Sequence, residues 1–466
     1  MFDGNDSVLV IGVGRSGMAT ARVLRKRGAS VAAYDDKGPQ RLRSERAQLK
    51  KLGVPLLSRD ELRGALKTFS AGVISPGVQL TNPAVREIQA AGVPIYSEIE
   101  VAYRISSAPI VAVTGSKGKS TTTALIGHLL ETAGKSVYVG GNIGNPLIRE
   151  TERAEASDVV IAEVSSFQLE SIRAFKPRIS VLLNLSPDHL DRYPSMEEYA
   201  EAKYRIFANQ GPGDAFVGNA DDPYCARLME GARTIPCPAH WFSVEGRPKA
   251  EALSVGGMIA LRQPGAPRAV KVIREDELPL RGRHNLADAL AALLAAHLAG
   301  AELEALREGL RTFEPLPHRL QAVATIDGVM WVDDSKASIP SAVIGALEAF
   351  ENPVILIAGG RSKRTDFEEM AAVASERAKA VVLIGESAAE IAAHIHGIPV
   401  ERAATMQDAV DAAARIAAPG DVALLSPGGT SFDMFESAEQ RGDAFADSVR
   451  AMRKSRRSTL VDRGAK

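Results

Sequence analysis

The chain is poor in cysteine, poor in aromatic residues and without a long apolar run. Its 466 residues hold two cysteines, Cys225 and Cys237, two tryptophans and 5% aromatic side chains in all. Two cysteines do not build a disulfide framework, and their scarcity points to a reducing cytoplasm. No apolar stretch reaches the roughly 20 residues that span a bilayer, and no basic segment with an apolar core precedes the first strand, so a soluble cytoplasmic protein is expected. An excess of charge is missing as well: 56 Lys and Arg face 57 Asp and Glu. That balance argues against a nucleic-acid or membrane-surface partner. The basic cluster Arg453-Lys454-Ser455-Arg456-Arg457 leads into a tail, 456–466, that is expected to be disordered and solvated.

What is present is an α/β rhythm, with short apolar runs alternating with amphipathic or Ala-rich stretches from end to end. This pattern predicts mostly parallel sheets covered by helices. Strands are expected at Ser7–Val13, Ser30–Tyr34, Val73–Ser75, Pro109–Thr114, Ser136–Val139, Val159–Glu163, Ile179–Asn184, Val329–Val332, Val354–Ile357, Ala380–Ile384 and Val422–Leu425. The chain divides into segments 1–95, 96–315 and 316–455, each with the pattern of a nucleotide-binding domain.

The most informative stretch is Val111-Ala112-Val113-Thr114-Gly115-Ser116-Lys117-Gly118-Lys119-Ser120-Thr121. A β-branched run enters a Gly-containing loop, then a lysine, two hydroxyls and a helix. Backbone N–H groups at such a helix start face an anion, Lys119 adds a point charge, and Ser120 or Thr121 can ligate Mg²⁺. Val113 stands where the strict pattern has glycine, so the loop is a shortened variant. Three further strand ends in this segment are polar or Gly-rich: Gly140-Gly141-Asn142, Glu163-Val164-Ser165-Ser166 and Asn184-Leu185-Ser186-Pro187-Asp188-His189. In an open parallel sheet such ends converge on the ligand crevice. Glu163 and His189, with a hydroxyl and phosphates, make a plausible partly hydrated Mg²⁺ environment. Lys203, in Glu198-Tyr199-Ala200-Glu201-Ala202-Lys203, reads from spacing alone as a surface lysine. Arg319, Lys336 and Lys363 are each a solvated cation or an anion ligand.

Gly12-Val13-Gly14-Arg15-Ser16-Gly17 fits the G-x-G-x-x-G turn, and Asp35 closes the next strand about twenty residues on. Taken alone, the turn leaves a nicotinamide dehydrogenase open, which the phosphate loop argues against.

Six ordered motifs together carry a resemblance: Thr114–Thr121, Glu163-Val164-Ser165-Ser166-Phe167-Gln168-Leu169, Asp188-His189-Leu190-Asp191-Arg192-Tyr193, Gly282-Arg283-His284-Asn285, Leu316-Pro317-His318-Arg319 and Asp334-Ser335-Lys336-Ala337. The chain resembles the Mur ligases of peptidoglycan synthesis over nearly its whole length. The resemblance implies a Rossmann-like N-terminal domain for a UDP-sugar, a central P-loop-type ATPase domain and a C-terminal Rossmann-like domain that brings an amino acid. The run after Glu163 is similar to members that add D-glutamate to UDP-N-acetylmuramoyl-L-alanine, with ATP as co-substrate and an acyl-phosphate intermediate. A related ligase with another amino-acid specificity and a non-catalytic nucleotide-binding regulator are the alternatives. A monomer is expected.

By the same resemblance, Ser16, Asp35, Gly77 and Asn142 would bind the UDP-sugar. Gly115, Ser116, Lys117, Gly118, Lys119, Ser120 and Thr121 would bind ATP, with Asn285, Arg319 and Asp334. Ser120, Glu163, His189 and a carbamylated Lys203 would hold Mg²⁺, two ions being expected. Lys336, Ser338, Lys363 and Ser431 would cradle the glutamate carboxylates. Lys119, Glu163, His189, Lys203 and Lys336 would be the catalytic set. Three departures stand out. Ala337-Ser338-Ile339 replaces the usual Ala-Thr-Asn, Asp288 replaces an adenine-contacting Asn, and the segment around Arg361 and Lys363 is more basic than usual.

Overall fold

The computed structural model describes residues 2–37, 39–189, 192–262, 268–362 and 366–464. It falls into two compact units, Met1–Leu278 with Ala287–Phe313 and Pro279–Leu286 with Glu314–Lys466.

The first unit contains two sheets. Strands β1 (Ser7–Ile11), β2 (Ser30–Tyr34), β3 (Ala71–Ile74) and β4 (Ile95–Ser97) pair in the order β2-β1-β3-β4, all parallel. The second sheet comprises β5 (Ile110–Thr114), β6 (Val137–Gly141), β7 (Val159–Glu163), β8 (Ile179–Leu182), β9 (Ala215–Asn219), β10 (Ala239–Ser243), β11 (Ala252–Val255), β12 (Met258–Leu261) and β13 (Val270–Arg274). Its order is β13-β12-β11-β10-β9-β8-β5-β7-β6. Strands β5 and β7 are buried along their whole length, as expected of parallel strands covered on both faces. Among the described residues of this sheet, β11 with β12 and β12 with β13 are the antiparallel pairs. Gly256 and Gly257, at φ 56° and 73°, turn the β11–β12 hairpin, a backbone conformation that two glycines adopt without steric cost.

One apolar cluster joins the two sheets of this unit. It runs from Val8, Val10 and Leu24 through Tyr96 and Ile99 to Leu147, Ile148 and Val160. The helices Glu98–Ile105 and Leu147–Arg153 lie at that seam.

The second unit is built on β14 (Gln321–Ile326), β15 (Val329–Asp333), β16 (Val354–Gly359), β17 (Ala378–Ile384), β18 (Val400–Arg402) and β19 (Val422–Gly428), in the order β14-β15-β19-β16-β17-β18. All pairs are parallel except β14 with β15. Apolar clusters fill both faces of this sheet. Its last helix, Ala438–Gly464, has a helical backbone through the basic cluster that the sequence assigns to the start of a frayed tail.

Every strand expected from the sequence is present, with ends displaced by at most three residues. In both sheets of the first unit the strand order reverses beside a glycine-bearing loop, between β1 and β3 and between β5 and β8. Such reversals open the crevices where ligands bind in α/β folds.

Candidate active site

The phosphate loop leaves β5 and enters the helix Lys119–Thr132. Gly118 is the N-cap, at φ 80°. A Cβ there would lie 2.0 Å from Oδ1 of Asp288, so both the left-handed backbone and the close approach require glycine. Asn184, just beyond β8, clamps the loop. Its Oδ1 accepts from Lys117 N at 2.9 Å, its carbonyl accepts from Ser116 N at 2.9 Å, and its Nδ2 donates to the Lys117 carbonyl at 3.2 Å. Ser116 Oγ donates to the Ser186 carbonyl and accepts from Ser186 N, both at 3.0 Å, with the Tyr199 hydroxyl 3.2 Å away. Lys119 folds back over the loop, its Nζ donating to the carbonyls of Gly115 and Ser116 at 2.9 Å. The loop is therefore rigid, with a cation over it and a helix start beneath it, which suits a polyphosphate.

Lys203 corrects the reading from spacing. It lies on the helix Met196–Tyr204, but its side chain is only 2% exposed. Its Nζ donates to the Gly115 carbonyl at 2.9 Å and to Thr114 Oγ1 at 3.5 Å, and stands 4.8 Å from the centre of the Tyr199 ring. Burial pulls the ammonium well below the ordinary lysine range and the Lys119 charge pulls it further, while Asp188 and Glu163 pull it back up. The three charges that act on Lys203, those of Lys119, Glu163 and Asp188, come from segments that follow or end three strands of the sheet. A buried lysine of depressed basicity beside a phosphate loop is a functional-site signature.

Glu163 ends β7 and is 2% exposed. Its Oε1 accepts from Asn142 Nδ2 at 2.7 Å, whereas its Oε2 is buried without a hydrogen-bond partner among the described residues. An orphaned carboxylate oxygen of this kind suits a hard cation. Among the described residues no three His, Cys, Asp or Glu side chains form a ready metal cage. Mg²⁺ at a phosphate needs none, because it takes one or two carboxylates and completes its shell with water and phosphate oxygens. His189 has φ 55°, a strained conformation for a non-glycine residue, and its ring packs 4.7 Å from that of Phe167. Its Nε2 lies 3.5 Å from Asp188 Oδ2.

A cleft of about 780 Å³ opens beyond β1 and β3 and is lined by Gly14, Arg15, Ser16, Asp35, Lys37 and Gly77, with Gly141 at the end of β6 and Asn142 just after it. All four residues expected at the UDP-sugar thus line one cavity. Asp35 shapes its rim: Oδ2 accepts from Val13 N and Oδ1 from Lys37 N, both at 2.9 Å. Asn142 lines this cleft and also holds Glu163.

In the second unit, Asp334 directly follows β15 and is buried. Its Oδ2 accepts from Ser426 Oγ at 2.9 Å, its Oδ1 accepts from Leu320 N at 3.3 Å, and burial pushes its carboxyl up to about 7. Arg319 sits between His318 and Leu320, which both have positive φ, 61° and 44°. Lys336 is paired with Glu439. Ser431 is 3% exposed, Ser338 is partly buried, and Asn285 Nδ2 donates to the Arg281 carbonyl at 2.6 Å. Lys363 lies outside the described residues. Sequence reasoning missed Asn184 and Tyr199 as loop supports. A polar residue just past a buried strand was the available signal for the first, and nothing local marked the second.

Family models cover most of the chain in three consecutive stretches. Residues 6–97 match the Mur ligase MurD-like N-terminal domain, 113–296 the Mur ligase middle domain and 318–429 the Mur ligase glutamate ligase domain. A UDP-N-acetylmuramoylalanine--D-glutamate ligase of Pelotomaculum thermopropionicum is 46% identical over 450 residues, covering 96% of this chain and 98% of that protein. The protein of the same name from Salinibacter ruber is 43% identical, covering 94% and 96%. The fold is shared with the MurF ligase of Thermotoga maritima, solved with ADP, at a TM-score of 0.63 and 17% identity, over 91% of this chain and 95% of that one. Family models across all three sheets and full-length relatives above 40% identity lead to one conclusion: this chain belongs to the Mur ligase family.

Proposed function

We propose that the chain adds D-glutamate to UDP-N-acetylmuramoyl-L-alanine with ATP, forming ADP and phosphate, in peptidoglycan precursor synthesis. The observation that carries the ligase chemistry is Lys203, buried with its amine 2.9 Å from the phosphate-loop carbonyl of Gly115. The choice of D-glutamate rests on the names of the full-length relatives.

Ser16, Asp35, Gly77 and Asn142 bind the UDP-sugar. Gly115 to Thr121 hold the triphosphate, and Asn285, Arg319 and Asp334 complete the ATP contacts. The alanyl carboxylate attacks the γ-phosphorus and ADP leaves. The product is an acyl phosphate, whose leaving group is phosphate and no longer oxide. The amine of D-glutamate then attacks the acyl carbon, and phosphate departs as the amide forms. Lys119 offsets charge on the transferring phosphoryl group. Ser120, Glu163, His189 and Lys203 as its carbamate would hold Mg²⁺, which neutralises phosphate charge when bound. Lys203 is suited to that modification, since only the neutral amine adds to CO₂ and burial favours the neutral form. Lys336, Ser338, Lys363 and Ser431 receive the glutamate carboxylates. No helix among the described residues is long and apolar enough to cross a membrane, and both cysteines are free and buried. We place the enzyme in the cytoplasm as a monomer.

Incubation with ATP, Mg²⁺, the UDP-sugar acceptor and either glutamate enantiomer, followed by mass measurement, tests this reading. Product is expected from D-glutamate alone, and absence of product from both enantiomers refutes it. In Lys119→Ala, acceptor-dependent ADP release should fall by about a hundredfold or more. Unchanged release would mean that the phosphate loop is misassigned.

A further inference from the structure

Three strand-end loops of the second unit meet at one buried guanidinium. Arg441, in the first turns of the helix Ala438–Gly464, is 1% exposed. Its Nε donates to Ser335 Oγ at 3.0 Å and its Nη2 to the Ser335 carbonyl at 2.7 Å, which fixes the loop after β15. Its Nη1 donates to the Gly429 carbonyl at 3.0 Å, which fixes the loop after β19. A Cβ on Gly360 would lie 3.1 Å from the same Nη1, so the loop after β16 packs against it too. Strands β15, β19 and β16 are adjacent in the sheet, and these loops are their carboxyl ends.

The partners are a hydroxyl and two carbonyls, and none of the three hydrogen bonds goes to a carboxylate. Burial lowers this guanidinium to about 10, so it stays charged at neutral pH, with Asp333, Asp334 and Asp433 supplying longer-range compensation. A buried charge held this way is a weak source of stability, because an apolar side chain of like volume often does as well. What it provides is geometry, since a planar fork of donors fixes several acceptors at once. Ser335 separates Asp334 from Lys336, and Gly429 lies two residues before Ser431. The Ser335 segment is tied further by Ser335 N to Asp333 Oδ1 at 2.9 Å and by Lys336 N to the His318 carbonyl at 3.1 Å.

We propose that Arg441 is a positioning residue of the amino-acid site: by bonding to Ser335 and Gly429 it sets the spacing between Lys336 and Ser431. This rests on the assignment of Lys336 and Ser431 to the glutamate carboxylates. A substrate with two carboxylates is sensitive to that spacing, since a misplacement of about 1 Å can cost about a hundredfold.

The test compares Arg441→Lys and Arg441→Gln with the parent enzyme, with KM measured separately for D-glutamate and for the UDP-sugar acceptor. Folding is followed by thermal melting and by calorimetric binding of the acceptor. Lysine keeps the charge and loses the fork, so it is the variant expected to fold. The KM for glutamate should rise about tenfold or more, while the KM for the acceptor, whose cleft lies in the other unit, should stay within about twofold. A glutamate KM within about twofold of the parent in Arg441→Lys overturns the proposal. So does a fall in kcat that merely tracks the folded fraction, or failure of both variants to fold, each of which makes Arg441 a stability element only. If the parent takes a different amino acid, the proposed substrate is wrong, and the KM for that amino acid in the variants still judges Arg441.

Discussion

A lysine is ordinarily a solvated cation, and Lys203 shows what the fold does to one. Its amine is enclosed beside a second lysine, and both burial and the Lys119 charge favour the neutral form that adds to CO₂. Equilibration with ¹³C-labelled bicarbonate should give a carbamate carbon signal in the parent protein and none in Lys203→Arg. Lys203→Ala should lose about a hundredfold or more in product formation. A signal of equal strength in Lys203→Arg would locate the carbamate elsewhere. The same lesson holds for Lys336, which reads as an exposed cation and is held by Glu439, whose carboxyl that pairing draws down to about 2. On the proposed function, a glutamate carboxylate would share or replace this partner.

Among the elements, the helix Pro340–Glu348 carries a visible defect. Ile339 is its N-cap, at φ −140° and ψ 149°, and offers no side-chain acceptor to the free N–H groups of the first turn. Backbone geometry there suits a capping residue, and asparagine is the residue the resemblance leads one to expect. Ile339→Asn should therefore stabilise the second unit by about 1 kcal/mol, read as a rise in its thermal midpoint. An unchanged or lower midpoint would mean that apolar contacts of the Ile339 side chain outweigh the cap. The phosphate loop is the opposite case. Its backbone is bonded by Asn184 and Lys119 and its Ser116 hydroxyl by Ser186, so its shape is already set before any anion arrives.

Across the whole molecule, pH acts on a carboxyl at the seam between the two sheets of the first unit. Glu98 is fully buried, accepts one hydrogen bond from Ile148 N, and is pushed up to about 7 by desolvation. In the unfolded chain it ionises near its ordinary value of about 4.3. Between those values the folded protein binds more protons than the unfolded one, so stability falls as pH rises from about 4 to 7 and then levels. The ceiling of the effect is about 3–4 kcal/mol. Urea unfolding of Glu98→Gln should lack this decline, and a parallel pH profile in the two proteins would remove Glu98 as its source. What the sequence determined by itself was the order of eleven strands and the phosphate loop, because apolar period, β-branching and turn residues act over a few neighbours. The antiparallel strands β11 to β13 went unread although Gly256-Gly257 marked their hairpin, because their pairing partners are chosen by the sheet they extend. Tertiary structure alone decided that Lys203 is buried, that one Glu163 oxygen has no hydrogen-bond partner among the described residues, and that Arg441 reaches back 106 residues to Ser335. Those outcomes depend on which distant groups share a low-dielectric interior, and local pattern holds no information about that.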